Sequence, residues 1–414
     1  MTVATPARVG AAMRSTRSRW EPRTEHWAAV ATVGVLAAHL GLRDFRWLLE
    51  WPLATWQYCF ATVMLGPLAS GFAAWKAVGW ARTIADPAAA AGRQTAVVWR
   101  STCSIVCWML GVYLVGYLGV LAAVALSGTP WTPTLSDFLP ILSACALIVA
   151  FGSLGSFFGW RVRSFVVPPL VALVGFASCV ALYGTAFGFL SDAGGASGSL
   201  VGLRPNPMRV LLQLTAFASV SALLTISAGK DHYLSRRAGV LRGSLGAVVA
   251  ILIVGGALTS PERLLQDPAD AVVCGEAMHA PVVCLGPGYG DRVQPISEAL
   301  GAPLAQLRVV GVELDLGPFD QRPSAPGSVV NPDLLDRGAD GPAQYVANAL
   351  LSPTCSLSDE VVNAFNAMVW WLTPESPKRD DFLPSDETAH RLASDDPQVV
   401  SDEVHALVNA LSGC

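Results

Sequence analysis

Long apolar runs without an ionised residue dominate the first 260 residues of the chain. Six of them, Pro52–Trp75, Ser101–Ser127, Phe138–Trp160, Ser164–Leu190, Val210–Ala228 and Gly243–Ser260, contain no Asp, Glu, Lys or Arg. Crossing a bilayer takes about 20 apolar residues, because unpaired backbone groups in hydrocarbon cost several kcal/mol each. The first four runs clear that length, and the last two approach it with charges on both sides. A shorter run, Trp27–Leu42, carries His39. No small-residue cleavage site follows it, so it reads as an uncleaved first helix and not as a signal peptide. The pattern predicts an all-α polytopic membrane domain over residues 27–260, preceded by a basic tail, residues 1–26. Its seven transmembrane helices fall near 27–42, 52–75, 101–127, 138–160, 164–190, 210–228 and 243–260.

Beyond residue 260 the periodicity changes. Ser260-Pro261-Glu262 reads as a helix start. Ala271–Cys274 and Pro281–Cys284 are short strand-like runs, followed by a Gly-rich turn at Gly286–Gly290 and a helix to about Leu307. Val309–Leu316 alternates apolar Val310, Val312, Leu314 and Leu316 with Glu313 and Asp315, the signature of a half-buried strand. Residues 317–342 are rich in Pro, Gly and Asp and read as loop. Val361, Phe365, Met368, Val369 and Leu372 share one helical face after Ser356 or Ser358. Val400, Val404, Leu407, Val408 and Leu411 do the same after Asp396-Pro397. Residues 261–414 are thus expected to form an α+β domain with Trp370 and Trp371 in its core.

Charge adds a direction. Only 14% of residues are charged and 52% are hydrophobic, against about 25% charged in soluble domains. This excludes an ordinary soluble protein, a disordered tail and a nucleic-acid binder. The total of −4 hides a split: 19 Lys/Arg against 8 Asp/Glu up to Thr259, and 8 against 23 from Ser260 on. With the N-terminus inside, the inner segments carry 15 Lys/Arg and the outer loops 4. That bias sets the expected orientation: cytoplasmic N-terminus, cell-membrane location, and an acidic extracytoplasmic domain at 261–414. Trp27, Trp47, Trp51, Trp75, Trp99 and Trp160 fall at expected membrane interfaces. Pro67, Pro140 and Pro168-Pro169 are expected to kink spans, and Gly155/Gly159 and Gly184/Gly188 to pack helices.

Ionisable groups are missing from the six runs, and proton or ion relays depend on such groups. Ion-coupled transport is therefore disfavoured, with His39 the one candidate. No phosphate-binding loop occurs, since Gly229-Lys230 is followed by Asp231. The inner segment Lys76–Arg100 contains Asp86-Pro87 before four alanines, which predicts a cytoplasmic helix starting near Pro87.

Gly66-Pro67-Leu68-Ala69-Ser70-Gly71-Phe72-Ala73-Ala74-Trp75, with the charged turn through Arg82, resembles the end of the second span in ABC-2-type permeases of high-GC bacteria. Residues 151–161 and 166–171 resemble that group's fourth and fifth spans. The resemblance covers roughly residues 50–190. It implies a permease-like subunit that forms a homodimer or heterodimer and takes its energy from a separate ABC ATPase chain. The loop after the second span would carry the contact, with Arg82, Asp86 and Arg93 as coupling residues. The chain departs from that group in its seven expected spans and its large outer domain. A degenerate permease fold kept for another role, with the outer domain binding a ligand or protein partner as a sensor or assembly factor, is the alternative.

Five cysteines, Cys59, Cys103, Cys107, Cys145 and Cys179, lie in spans and act as small hydrophobes. The remaining four, Cys274, Cys284, Cys355 and Cys414, are disulfide candidates in an oxidising compartment and allow three connectivities. Cys274–Cys284 is favoured because both end Val-Val-Cys runs that pair as a hairpin, which leaves Cys355 with Cys414. Cys274, His279 and Cys284 give only three local ligands and do not make a zinc site. Glu313 and Asp315 read as a solvated strand edge, and His390 and His405 have no nucleophile nearby. No catalytic, cofactor-binding or metal-binding constellation is found, so the chain reads as a non-enzyme with the lipid bilayer as its surroundings.

Overall fold

The computed structural model describes residues 21–413 apart from 43–47, 91–93, 130–132, 184, 192, 196–198, 229–234, 260–261, 267–270, 277–279, 315–317, 324–327, 339, 352–357, 375 and 377–378. The chain divides into two compact units. One comprises Met1–Ser197 with Pro205–Leu265; the other comprises Gly198–Arg204 with Gln266–Cys414.

The first unit is a helical bundle. Its helices are α1 (Glu21–Gly41), α2 (Trp51–Phe60), α3 (Thr62–Ala90), α4 (Gln94–Leu126), α5 (Pro140–Val162), α6 (Val167–Leu182), α7 (Pro207–Ala228) and α8 (Ser235–Thr259). Five stretches are long and apolar enough to cross a membrane: Trp51–Thr83, Gln94–Leu126, Leu135–Val162, Pro207–Ala228 and Arg242–Thr259. Helix α6 is apolar but shorter. Spans that follow one another in the chain run antiparallel, so that α1 lies parallel to α4 and α3 to α5, as side-chain contacts at the two ends show. At one end Lys76 of α3 meets Glu25 of α1 and Ser104 of α4, and Arg82 donates to the Arg163 carbonyl after α5. At the other end His39 of α1 contacts the Gln57 carbonyl, and Thr55 bonds Tyr117 of α4.

Helices α3 and α5 form the centre. A Cβ built on Gly155 would lie 1.9 Å from the Ser70 carbonyl oxygen, and one on Gly159 would lie 2.4 Å from that of Ala74. Two glycines four residues apart on α5 therefore bring its backbone onto the matching Ser70/Ala74 ridge of α3, the small-residue packing expected of that pair. Helix α8 is nearly bare, packing against α7 alone among its stronger contacts.

Several sequence-based boundaries move. The helix expected to begin near Pro87 is instead the end of α3, which runs on through Asp86 and Pro87 to Ala90. The fifth run, 164–190, is α-helical only over Val167–Leu182 among its described residues; the chain turns extended at Tyr183. Pro140 and Pro168-Pro169 sit in the first turns of α5 and α6. There the missing N–H is one of the orphan donors anyway, so these prolines start helices and do not kink them. No helix starts at Glu262; Leu264–Gln266 is a short strand. Gly184 lies outside the described residues, and Gly188 opens a single 3-10 turn.

The second unit is α+β. Strands β1 (Val273–Gly275), β2 (Val283–Leu285), β3 (Phe319–Asp320) and β4 (Ser328–Val329) form one sheet in that order. β1 pairs antiparallel with β2, with Cys274 directly opposite Cys284; the other two pairings are parallel. A 3-10 turn at Pro287–Arg292 and helix α9 (Val293–Val309) connect β2 to β3. Helices α10 (Asp340–Leu350), α11 (Asp359–Leu372), α12 (Asp386–Leu392) and α13 (Pro397–Ser412) follow. Ser358 caps α11 by accepting from the Val361 amide, and Asp396 caps α13 by accepting from that of Gln398. Trp370 and Trp371 are both buried.

The half-buried strand expected at 309–316 is absent among its described residues. Helix α9 continues through Val309 and closes with a Schellman motif: the Val312 amide donates to the Leu307 carbonyl and the Gly311 amide to that of Arg308. Gly311 supplies the left-handed backbone, φ +81°, and the buried pair Leu307 and Val312 completes the motif. Loop residues 317–342 contain β3, β4 and the start of α10.

A segment from between α6 and α7 completes the second unit. Leu200 and Val201 are 0% and 1% exposed. The Gln321 side chain donates to Ser199 Oγ at 2.5 Å and accepts from the Gly286 amide at 2.7 Å. Gly202, at φ +75°, lies against Arg322, where a Cβ would come within 2.9 Å of that side chain.

Candidate functional site

Of the three expected coupling residues, only the Arg82 side chain lies within the described residues. Arg82 lies near the end of α3; its Nε donates to the Arg163 carbonyl at 3.0 Å and its guanidinium stacks 4.2 Å over Phe165. Asp86 falls inside α3, and its side chain, like the whole of Arg93, lies outside the described residues. Other cations stand at the same end of the bundle. Arg161 donates to the Ser227 carbonyl, and Arg242 donates to that of Ile226 at 2.9 Å. These guanidiniums satisfy carbonyls left over at the ends of α5 and α7, which is favourable for cations at helix C-termini.

The centre missed by sequence reasoning is Lys76. Its Nζ lies 2.5 Å from Glu25 Oε1 and 2.6 Å from Ser104 Oγ, and 5.3 Å from the Trp80 ring centre. Lys76 is 6% exposed. The apolar surroundings are therefore not free of ionised groups: a buried ion pair joins α1 to α3, and the ground for setting ion coupling aside is weaker than the charge-free runs imply. The signal in the sequence was the apolar continuation Ala77-Val78-Gly79-Trp80-Ala81, which carries the span past the lysine.

Between α1 and α4 runs an apolar groove of about 730 Å3. Its floor includes Tyr58, whose hydroxyl donates to the Tyr113 carbonyl at 2.5 Å. Tyr58, Tyr113 and Tyr117 form a buried aromatic cluster with ring centres 4.9 and 5.5 Å apart. The His39 ring reaches the Gln57 carbonyl at 2.8 Å and packs 6.1 Å from Phe60.

In the second unit Cys274 and Cys284 are at disulfide distance, with Cα atoms 4.1 Å apart. Cys355 and Cys414 lie outside the described residues. Asp320 forms an ion pair with Arg322 at 2.7 Å, and Ser376 donates to buried Asp340 at 2.5 Å. Arg379 stacks 3.6 Å over Trp370. Glu313 is exposed; Asp315 and His279 lie outside the described residues. His390 and His405 are exposed, the latter meeting the Ser401 carbonyl at 2.8 Å. Among the described residues no group of three or more His, Cys, Asp or Glu is placed to hold a metal ion. Comparison of the chain with protein-family models, with curated proteins and with solved structures finds no match.

Proposed function

We propose that the chain is a cell-membrane protein that crosses the bilayer seven times, with a cytoplasmic N-terminus and its C-terminal unit outside. In this reading it is the permease-like subunit of an ATP-driven exporter, paired with a second membrane subunit and with a separate ATPase chain. The observation that carries it is the α3–α4 hairpin. The charge-free run ends at Trp75, yet α3 continues past Lys76 and Arg82 to Ala90, and α4 begins at Gln94. At 1.5 Å per residue, the eight residues after Arg82 make a helical projection of about 12 Å. It stands at the end that gathers Lys76, Arg82, Arg161 and Arg242, as a cytoplasmic face should under the positive-inside rule. A rigid projection at that face is what an ATPase needs to push on the spans.

Replacing residues 84–93 with a Gly/Ser linker is expected to abolish co-purification with the ATPase and leave membrane insertion intact. Undiminished association would overturn the exporter reading. A reporter fused after Cys414 is expected to be active only outside; cytoplasmic activity would overturn the topology. The second reading, an outer domain that senses a ligand or guides assembly, is favoured by the burial of Leu200 and Val201 in the second unit. A ligand there would act on a segment continuous with α7. Retained export by a chain lacking residues 266–414 would count against that reading.

A further inference from the structure

We infer that the groove between α1 and α4 is a binding site for one hydrocarbon chain of a bilayer phospholipid. The groove exists because side chains are missing where the helices face each other. Gly111 and Gly116 of α4 line it together with Leu36 and Ala37 of α1 and with Trp108. At Gly116 the helices are in contact, a Cβ there falling 2.6 Å from the Tyr58 hydroxyl and 3.3 Å from Leu36, whereas a Cβ at Gly111 would meet nothing within 4 Å. The volume of about 730 Å3 falls in the ordinary range of ligand pockets, roughly 300–1,000 Å3.

Two features name the occupant. The first is depth: Trp108 to Gly116 lies in the middle of the membrane-length helix Gln94–Leu126, and the groove's rims, Val33, Trp108 and Val115, are exposed and apolar. An apolar recess at that depth excludes water, and hydrocarbon is what surrounds it. The second is the lining. It consists of aliphatic side chains, two glycines, Cys107, Trp108 and Tyr58, whose hydroxyl is already engaged by the Tyr113 carbonyl. The polar contacts stand beyond it along the helices, Lys76 with Glu25 and Ser104 toward one end and His39 with Gln57 toward the other. The lining therefore selects a hydrocarbon tail and not a polar head.

The test uses the full chain in nanodiscs of phosphatidylethanolamine and phosphatidylglycerol, doped with a phosphatidylglycerol bearing a mid-chain diazirine. After photolysis, adducts are mapped by peptide mass spectrometry. Adducts are expected to concentrate on residues 33–40 and 107–116, above the level on the equally apolar α6 and α8. Gly111→Phe fills the groove from an open position and should reduce groove adducts to the α6 level. Gly119→Phe, also built from open space on the same helix, should leave them unchanged. Uniform labelling of all lipid-facing helices, indifferent to Gly111→Phe, would reduce the groove to ordinary annular contact and overturn the site. Crosslinking of two copies through Cys107 at the groove would overturn it equally, by showing that a second chain covers it.

Discussion

A methyl group at Gly155 has no room, because the Ser70 carbonyl oxygen occupies its place. Gly155→Ala must separate α3 from α5 and is expected to cost about 1–3 kcal/mol of stability, read as a fall in the thermal midpoint of the detergent-solubilised protein. Gly79→Ala, which meets nothing within 4 Å, is the matched control and should hold or raise that midpoint. Lys76→Met strands Glu25 with an unmatched charge. Breaking a buried pair costs about 3–5 kcal/mol; with 20% of the Glu25 side chain exposed, the lower end is expected. The double variant with Glu25→Gln should recover most of the loss, and failure to recover would show that Lys76 acts through Ser104 instead. The glycine pair was legible from its four-residue spacing, because close backbone approach requires small residues wherever it occurs. The ion pair was not. Its members stand 51 residues apart, and a lysine directly after Trp75 has the look of a span end until the partner folded against it is known.

Helices with one apolar face and a polar cap were the most legible elements. Ser358 and Asp396 start α11 and α13 as their sequences indicate, and Ser358→Ala is expected to cost about 1 kcal/mol, measured by chemical denaturation. Elements failed to read correctly where one local signal can serve two geometries. Val310 and Val312 alternate as strand residues do, yet they flank a left-handed glycine that ends α9. Gly311→Ala is therefore expected to destabilise by about 1–2 kcal/mol, whereas a strand position would gain from the same change. Asp86-Pro87 offers an N-cap and a first-turn proline, but the same proline is tolerated near the end of a helix, where water can take the carbonyl it frees. The hairpin β1–β2 was legible because both segments carry a Val-Val-Cys run. Cys274 and Cys284 are 10 residues apart, and loop-closure estimates give roughly 3 kcal/mol for such a link. Comparing unfolding midpoints with and without reductant measures that contribution.

At the scale of the molecule, the split between a basic apolar part and an acidic one was plain from charge, and the division into two units follows it. The exception is Gly198–Arg204, a seven-residue segment of the second unit encoded between α6 and α7. No periodicity marks it, since Leu200 and Val201 read as loop residues although both are buried. Residues 266–414 expressed alone are expected to be less stable than the same residues joined by a flexible linker to 198–204. Equal unfolding midpoints would remove that segment from the fold's requirements. The shared segment also makes the order of synthesis matter. Residues 198–204 leave the ribosome first, and two more helices, α7 and α8, must be threaded before the rest of their unit is made. Only an even number of crossings in between returns the chain to the same side. In the seven-span reading, a molecule in which α8 fails to insert would place residues 198–204 and 266–414 on opposite faces of the membrane, and the two parts of the second unit could not meet. Completion of that unit then depends on both of the last two helices having crossed.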